Sequence, residues 1–168
     1  MKVLTLAVAV GLALLFQTTV IGFIFSQTPD IDLVLIVVVY VALKTGPVSG
    51  LLAGSFAGLS QDLLVSSVLG VNGLAKSLVG FIIAGIGQRI MMEGTLFRAS
   101  MFMTATAVNT LIIVVLGMLF GIQMFPLSFQ IVLSQMITNT ILGVVAVMIG
   151  EGVIKFFQQR RFSRYRRL

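Results

Sequence analysis

Glycine stands at every fourth position through one apolar stretch, at Gly46, Gly50, Gly54 and Gly58, and the next step of four lands on Asp62. In a helix, residues four apart stack along one surface ridge. A glycine inside a water-exposed helix costs about 1 kcal/mol relative to alanine, so a soluble helix gains nothing from such a row. In lipid the balance reverses. Small side chains let a second backbone approach closely where no hydrophobic driving force acts between helices. The pattern predicts a membrane-spanning helix from Pro47 to about Leu64, gripped along one side and carrying a carboxylate at its far end. The ridge has two readings: packing within the chain's own bundle, or a seat for a partner's helix.

Composition fixes the class. Only 10% of the 168 residues are charged and 58% are hydrophobic, with mean hydropathy +1.15, whereas soluble domains carry about 25% charged residues. The expectation is an all-α polytopic membrane protein without a soluble domain. Cysteine and histidine are absent, which removes disulfides, thiolate chemistry and the commonest proton shuttle and metal ligand. The five acids are scattered, so neither a metal site nor another cofactor is expected.

Polar punctuation divides the chain into six apolar runs. The first, Val3 to about Phe25, is too long for a signal peptide and lacks an Ala-x-Ala cleavage site. Gln17 in its second half is expected to turn into the bundle, and the threonines beside it to bond back to their own helix. A loop from Ser26 to Asp32 leads to a short run, Ile31 to Leu43. At about 20 Å this run falls short of a hydrocarbon core of roughly 30 Å, so it is expected to be tilted, sheltered or extended. Lys44-Thr45-Gly46-Pro47 reads as a turn, because an unbroken helix from Ile31 to Ser60 would be about 45 Å long. Thr45 and Pro47 suit a cap and first turn.

After the glycine helix, Val65 to Gly73 reverses the chain, and a fourth span follows from Leu74 to Gln88. Its small residues Gly73, Ser77, Gly80, Ala84 and Gly87 make a 4-3-4-3 seam. Arg89 to Arg98 reads as a charged loop, Ala99 to Phe120 as the fifth span and Ser128 to Ile154 as the sixth. Asn109 and Asn139 reach similar depth in that hairpin and suit interhelical hydrogen bonds; a polar pathway is the sharper alternative. Asn139, Gly143, Ala146 and Gly150 form another small-residue seam. Residues 1–154 are thus read as a six-span membrane domain and residues 155–168 as a basic cytoplasmic tail.

Asp62 and Lys76 flank the third reversal. The expectation there is that Asp62 either pairs with Lys76 or caps backbone donors around Gly70, Asn72 and Gly73; the plainer alternative is a carboxylate that only marks topology. With both termini inside, ten of eleven Lys and Arg residues are cytoplasmic, as the positive-inside rule requires. Arg160, Arg161, Arg164, Arg166 and Arg167 fit contact with anionic lipid or a partner, not nucleic acid. No nucleophile–base pair, HExxH motif or phosphate loop is present, so an enzyme is not expected.

The order Pro29-Asp30, Gly46-Pro47, Gly50, Gly58-Leu59-x-x-Asp62-Leu63-Leu64, Leu69-Gly70-x-Asn72 and Gly80 resembles the rod-shape-determining MreD family. The likeness spans nearly the whole chain in length and span number, and is specific across Pro29 to Gly80. It implies a non-enzymatic inner-membrane component of the bacterial elongation machinery that binds the single-pass protein MreC. It also implies indirect links to MreB filaments, to RodA and to its penicillin-binding partner. It further implies the six-helix fold of the S subunits of energy-coupling-factor transporters. The alternative is a vitamin- or lipid-binding S-subunit-like protein, which the absence of tryptophan disfavours.

Overall fold

The computed structural model describes residues 3–21, 31–65, 68–89, 94–121 and 129–165, and among these the side chains of 8–19, 31–64, 68–89, 94–121 and 129–152. Its helices are α1 (Val3–Leu15), which runs on into a π-helical stretch Phe16–Ile21, then α2 (Leu33–Thr45), α3 (Pro47–Val65), α4 (Val71–Arg89), α5 (Thr95–Phe120) and α6 (Phe129–Tyr165). The chain is all-helical throughout these residues. Three helices, α4, α5 and α6 as far as Gly152, are long and apolar enough to cross a membrane, while α1 and α2 are apolar but shorter. α3 has comparable length, and its glycines, serines, Gln61 and Asp62 dilute its apolarity.

α2 lies at the centre. Its Val34, Val38, Val39 and Ala42 are wholly inaccessible, which accounts for the short run: a helix sheathed by other helices need not match the lipid thickness along its own length. One side packs with Val79 and Ile83 of α4, Met101, Phe102 and Ala105 of α5 and Val147 of α6. The other side meets Val10, Ala13 and Leu14 of α1 and Ala57 of α3. Between buried aliphatic groups in lipid the attraction is dispersion, small per atom pair and large in sum.

The break between α2 and α3 is a single residue, Gly46, at φ 102°. This positive φ suits glycine, and Pro47 starts the next helix with its ring-fixed φ. The turn is therefore tighter than expected, and Lys44 and Thr45 belong to the last turn of α2. Other boundaries also move. α4 begins at Val71, so Asn72 and Gly73 are helical, and α5 begins at Thr95, which brings Arg98 into the helix. α6 runs without interruption for 37 residues, about 55 Å, so the backbone of the basic segment continues the last helix as far as Tyr165.

α3 and α4 are the most extensively packed pair, and they run antiparallel. A Cβ added at Gly54 would collide with the Lys76 carbonyl, one at Gly58 with the Asn72 carbonyl, and one at Gly80 with the Gly50 carbonyl. The ridge thus brings backbone against backbone. On α4 the seam holds throughout: Leu59 packs on Gly73, Ser77 Oγ lies 2.7 Å from Ser55 Oγ, and Leu43 packs on Gly87. On α6 it does not. Phe102 covers Gly143, but Ala146 is exposed and a Cβ added at Gly150 would meet nothing within 4 Å. The buried line is instead Asn139, Gly143 and Val147, an i, i+4 ridge.

Candidate functional site

Polar side chains gather at one end of the bundle, where α2 and α4 begin and α3 ends. Asp62 is 1% exposed, and its two oxygens serve the turn beyond it. Oδ2 accepts from Gly70 N at 2.9 Å and Gly73 N at 3.0 Å, while Oδ1 accepts from Asn72 N at 3.2 Å and Asn72 Nδ2 at 2.8 Å. The first turn of a helix has orphan N–H donors. Here the carboxylate that satisfies α4 comes from the neighbouring helix, and it complements the positive end of the α4 dipole.

Lys76 does not pair with Asp62. Its amine, wholly buried, sits 2.7 Å from Asp32 Oδ2 and donates to Asn72 Oδ1 at 3.2 Å. Asp32 is a node. Its Oδ1 caps its own helix by accepting from Leu35 N at 2.9 Å, and its backbone N–H donates to Asn139 Oδ1 at 3.0 Å. Asn139 in turn donates to Thr106 Oγ1 at 3.4 Å. A continuous path runs from Asp62 through Asn72, Lys76 and Asp32 to Asn139 and Thr106, and it joins α3, α4, α2, α6 and α5. Each oxygen of both carboxylates accepts at least one hydrogen bond. Buried charge persists when it is paired or richly hydrogen-bonded; Asp32 and Lys76 pair with each other, and Asp62 is held by four N–H donors instead of a counter-charge.

At the opposite end Glu151 of α6 joins Lys44 of α2 at 2.8 Å and Arg98 of α5 at 3.0 Å. These groups are partly exposed, so the cluster ties three helices with a weaker grip than the buried path.

The structure brings together Asp62, Gly70, Asn72 and Lys76, and it seats Gly50, Gly54 and Gly58 against α4, with Gly46 beside the Gln88 side chain. Asn109 is buried, but its Oδ1 has no partner, and Asn139 bonds Thr106 instead of Asn109. Gln17 is half-buried with Oε1 enclosed and unpartnered, and Thr18 bonds back to Leu14 O at 2.9 Å. The side chains of Arg160, Arg161 and Arg164, together with Arg166, Arg167, Asp30 and Glu93, lie outside the described residues. Sequence reasoning missed Asp32, Thr106 and the Glu151 cluster. Asp32 carried a signal, an acidic residue directly before an apolar helical run, which is the N-cap position. Thr106 stands one turn from Asn109 on the same inward face.

These features define a helical membrane protein whose buried polar groups hold helices in register. The family model of the rod shape-determining protein MreD matches residues 1–160, and the chain belongs to that family. Its role therefore lies in rod-shape determination. No curated protein and no solved structure matches the chain.

Proposed function

We propose that the protein is a non-enzymatic, multi-pass scaffold of the bacterial inner membrane that binds MreC. Through that contact it helps couple MreB filaments to the wall-building pair of RodA and a penicillin-binding protein. On this reading all six helices cross the membrane, with both termini cytoplasmic, in the arrangement of the energy-coupling-factor S subunits. The distribution of charge supports the orientation. Lys44, Arg98 and Glu151 meet at one end and Asp32, Asp62 and Lys76 at the other, and ten of eleven basic residues fall on the Lys44 side under this topology.

The observation that carries the scaffold reading is the assignment of the polar groups. The buried charges are occupied in holding helices together, which is the chemistry of a rigid membrane platform. The glycine ridge is spent on α4, so a partner meets another surface. The turn at Asp62, Gly70 and Asn72 forms part of the periplasmic face offered to MreC or the synthase, and the basic extension of α6 meets anionic lipid and cytoplasmic partners. Co-purification with full-length MreC from membranes tests this directly. A stable complex that survives size-exclusion chromatography is the expected result; recovery of the protein alone, with a small ligand found by mass spectrometry, would overturn it.

A further inference from the structure

α2 lies at the centre of the bundle, yet one of its faces is left half-covered. Around it α1, α3, α4, α5 and α6 pack each on the next, but among the described residues α6 and α1 scarcely meet, so the ring stays open between them. The partly covered residues of α2 mark the opening. Leu33, Val37, Tyr40 and Lys44 follow one another in 4-3-4 steps along a single face, while the residues between them as far as Ala42 are buried. Leu43 is also partly covered, and it packs on Gly87 of α4. Val37 leans on the cluster that holds Val10, Ala13 and Leu14 of α1, and Tyr40 on the cluster that holds Phe102 of α5 and Val147 of α6. This face therefore floors a gap with α1 on one side and α6 on the other.

The chemistry of the floor changes along its length. Leu33, Val37 and Tyr40 offer aliphatic and aromatic surface, and Lys44 ends it on charge. Lys44 Nζ and Arg98 Nη2 converge on one oxygen, Glu151 Oε1, at 2.8 Å and 3.0 Å, so the two cations stand within about 6 Å of each other. One carboxylate answers both, and a net positive charge remains. This end is open: the Lys44 side chain is 49% exposed, and a Cβ added at Gly150 or Gly152, on either side of Glu151, would meet nothing within 4 Å. From Leu33 to Lys44 the face rises about 16 Å, one leaflet's share of a hydrocarbon core of roughly 30 Å. A charged mouth over one leaflet's depth of apolar floor matches an anionic head and its chain. A partner's transmembrane helix matches it poorly, because its cytoplasmic flank brings Lys and Arg of its own against Lys44 and Arg98. We propose that the gap holds an anionic phospholipid of the leaflet on the Lys44 side, with its phosphate at Lys44 and Arg98 and one acyl chain along Tyr40, Val37 and Leu33. The site goes beyond the scaffold reading, which serves only to name that leaflet the cytoplasmic one.

The chain has no tryptophan, so Tyr40→Trp sets a single fluorescent reporter on the floor of the gap. Leu52→Trp sets one on the exposed side of α3, which does not border the gap, near the same end of the bundle. Each full-length variant is placed in vesicles of phosphatidylcholine and phosphatidylglycerol in which one lipid or the other carries brominated chains that quench indole on contact. Quenching of the Tyr40→Trp reporter is expected to favour phosphatidylglycerol about fivefold, the equivalent of one net positive charge, with a markedly weaker preference at Leu52→Trp. Adding Lys44→Gln leaves Arg98 and Glu151 as a neutral pair and is expected to abolish the preference. Adding Glu151→Gln frees both cations and is expected to raise it. Where Tyr40→Trp lowers the melting temperature, Val37→Trp, one turn deeper, repeats the measurement. Equal preference at the gap and at Leu52→Trp would mean an ordinary lipid annulus and overturn the proposal, as would a preference indifferent to both charge changes. Loss of quenching by both lipids when full-length MreC is added would give the gap to a partner helix and overturn it as well.

Discussion

Replacing Lys76 by methionine tests whether the buried polar path holds the fold. Methionine approximates the length of the lysine stem and removes only the amine. That amine lies 2.7 Å from Asp32 Oδ2, with Lys76 wholly buried and the Asp32 side chain 9% exposed. The variant leaves Asp32 enclosed with one oxygen still capping Leu35 and the other bare. Removing one partner of a buried pair costs about 3–5 kcal/mol, because the remaining charge is stranded away from water. Asp32→Asn is the complementary change; asparagine caps a helix about as well as aspartate, so the cap survives and only the charge is lost. Combining the two leaves neither charge stranded, and the double variant is expected to recover most of the loss, to within about 1–2 kcal/mol of wild type. The assay is reversible unfolding in mixed micelles, run as a double-mutant cycle. A Lys76→Met variant within 1 kcal/mol of wild type, or singles whose effects simply add, would refute the claim that the pair is a buried lock.

Gly54→Leu forces α3 from α4 at the Lys76 carbonyl, so melting temperature and MreC recovery are expected to fall together; loss of recovery alone, with the melt unchanged, would place the ridge against a partner instead. Asp62→Ala leaves the donors of Gly70, Asn72 and Gly73 unmet, with an expected cost of about 1–3 kcal/mol. Asp62→Asn is expected to fall between, since its amide turns an NH2 toward N–H donors on one side; equal stability of all three proteins by unfolding would contradict the cap. Deleting residues 160–168 is expected to leave the bundle's melting temperature unchanged while weakening sedimentation with anionic vesicles, at about 1 kcal/mol per arginine. Undiminished sedimentation would remove the lipid role.

The local features were legible because local physics determines them. Gly46-Pro47 breaks a helix wherever it occurs, and the small residues of α4 announce a close neighbour whatever that neighbour is. Asp62 stood within reach of a turn only eight residues away, so its role as a cap was one of three readings that the spacing allowed. Asp32 was legible as an acid beside an apolar run, but its burial was not. Its backbone partner Asn139 is 107 residues distant, and only the meeting of α2, α4 and α6 makes a loop charge into a core group. The same distance separates Lys44 from Glu151. α6 misled for another reason: a seam of small residues and a nearby aromatic ring compete for one face. Phe102 took Gly143 and turned Ala146 outward. The charged start of α5 and the charged end of α6 escaped because charge argues for water exposure and is silent on whether the backbone stays helical.

Why the polar path stands where it does follows from the length of α2. A helix that spans the bilayer is held in place by its two interfaces, because sliding would bury polar ends in hydrocarbon. α2 has 13 residues, about 20 Å against a core of roughly 30 Å, so the interfaces cannot set its height. Interdigitated packing and the one-residue link to α3 restrain it, and charge pins both ends besides: Asp32 to Lys76 and Asn139 at one, Lys44 to Glu151 at the other. The two pins differ in strength. Asp32 and Lys76 are enclosed, whereas the Lys44 side chain is 49% exposed, and exposed pairs contribute about 1 kcal/mol or less. Loss of the Asp32 pin should therefore cost several times more than Glu151→Gln in the same unfolding assay. Raised salt should erode only the smaller effect, because buried pairs are screened much less. Equal costs, or equal salt sensitivity, would mean that α2 is held by packing alone.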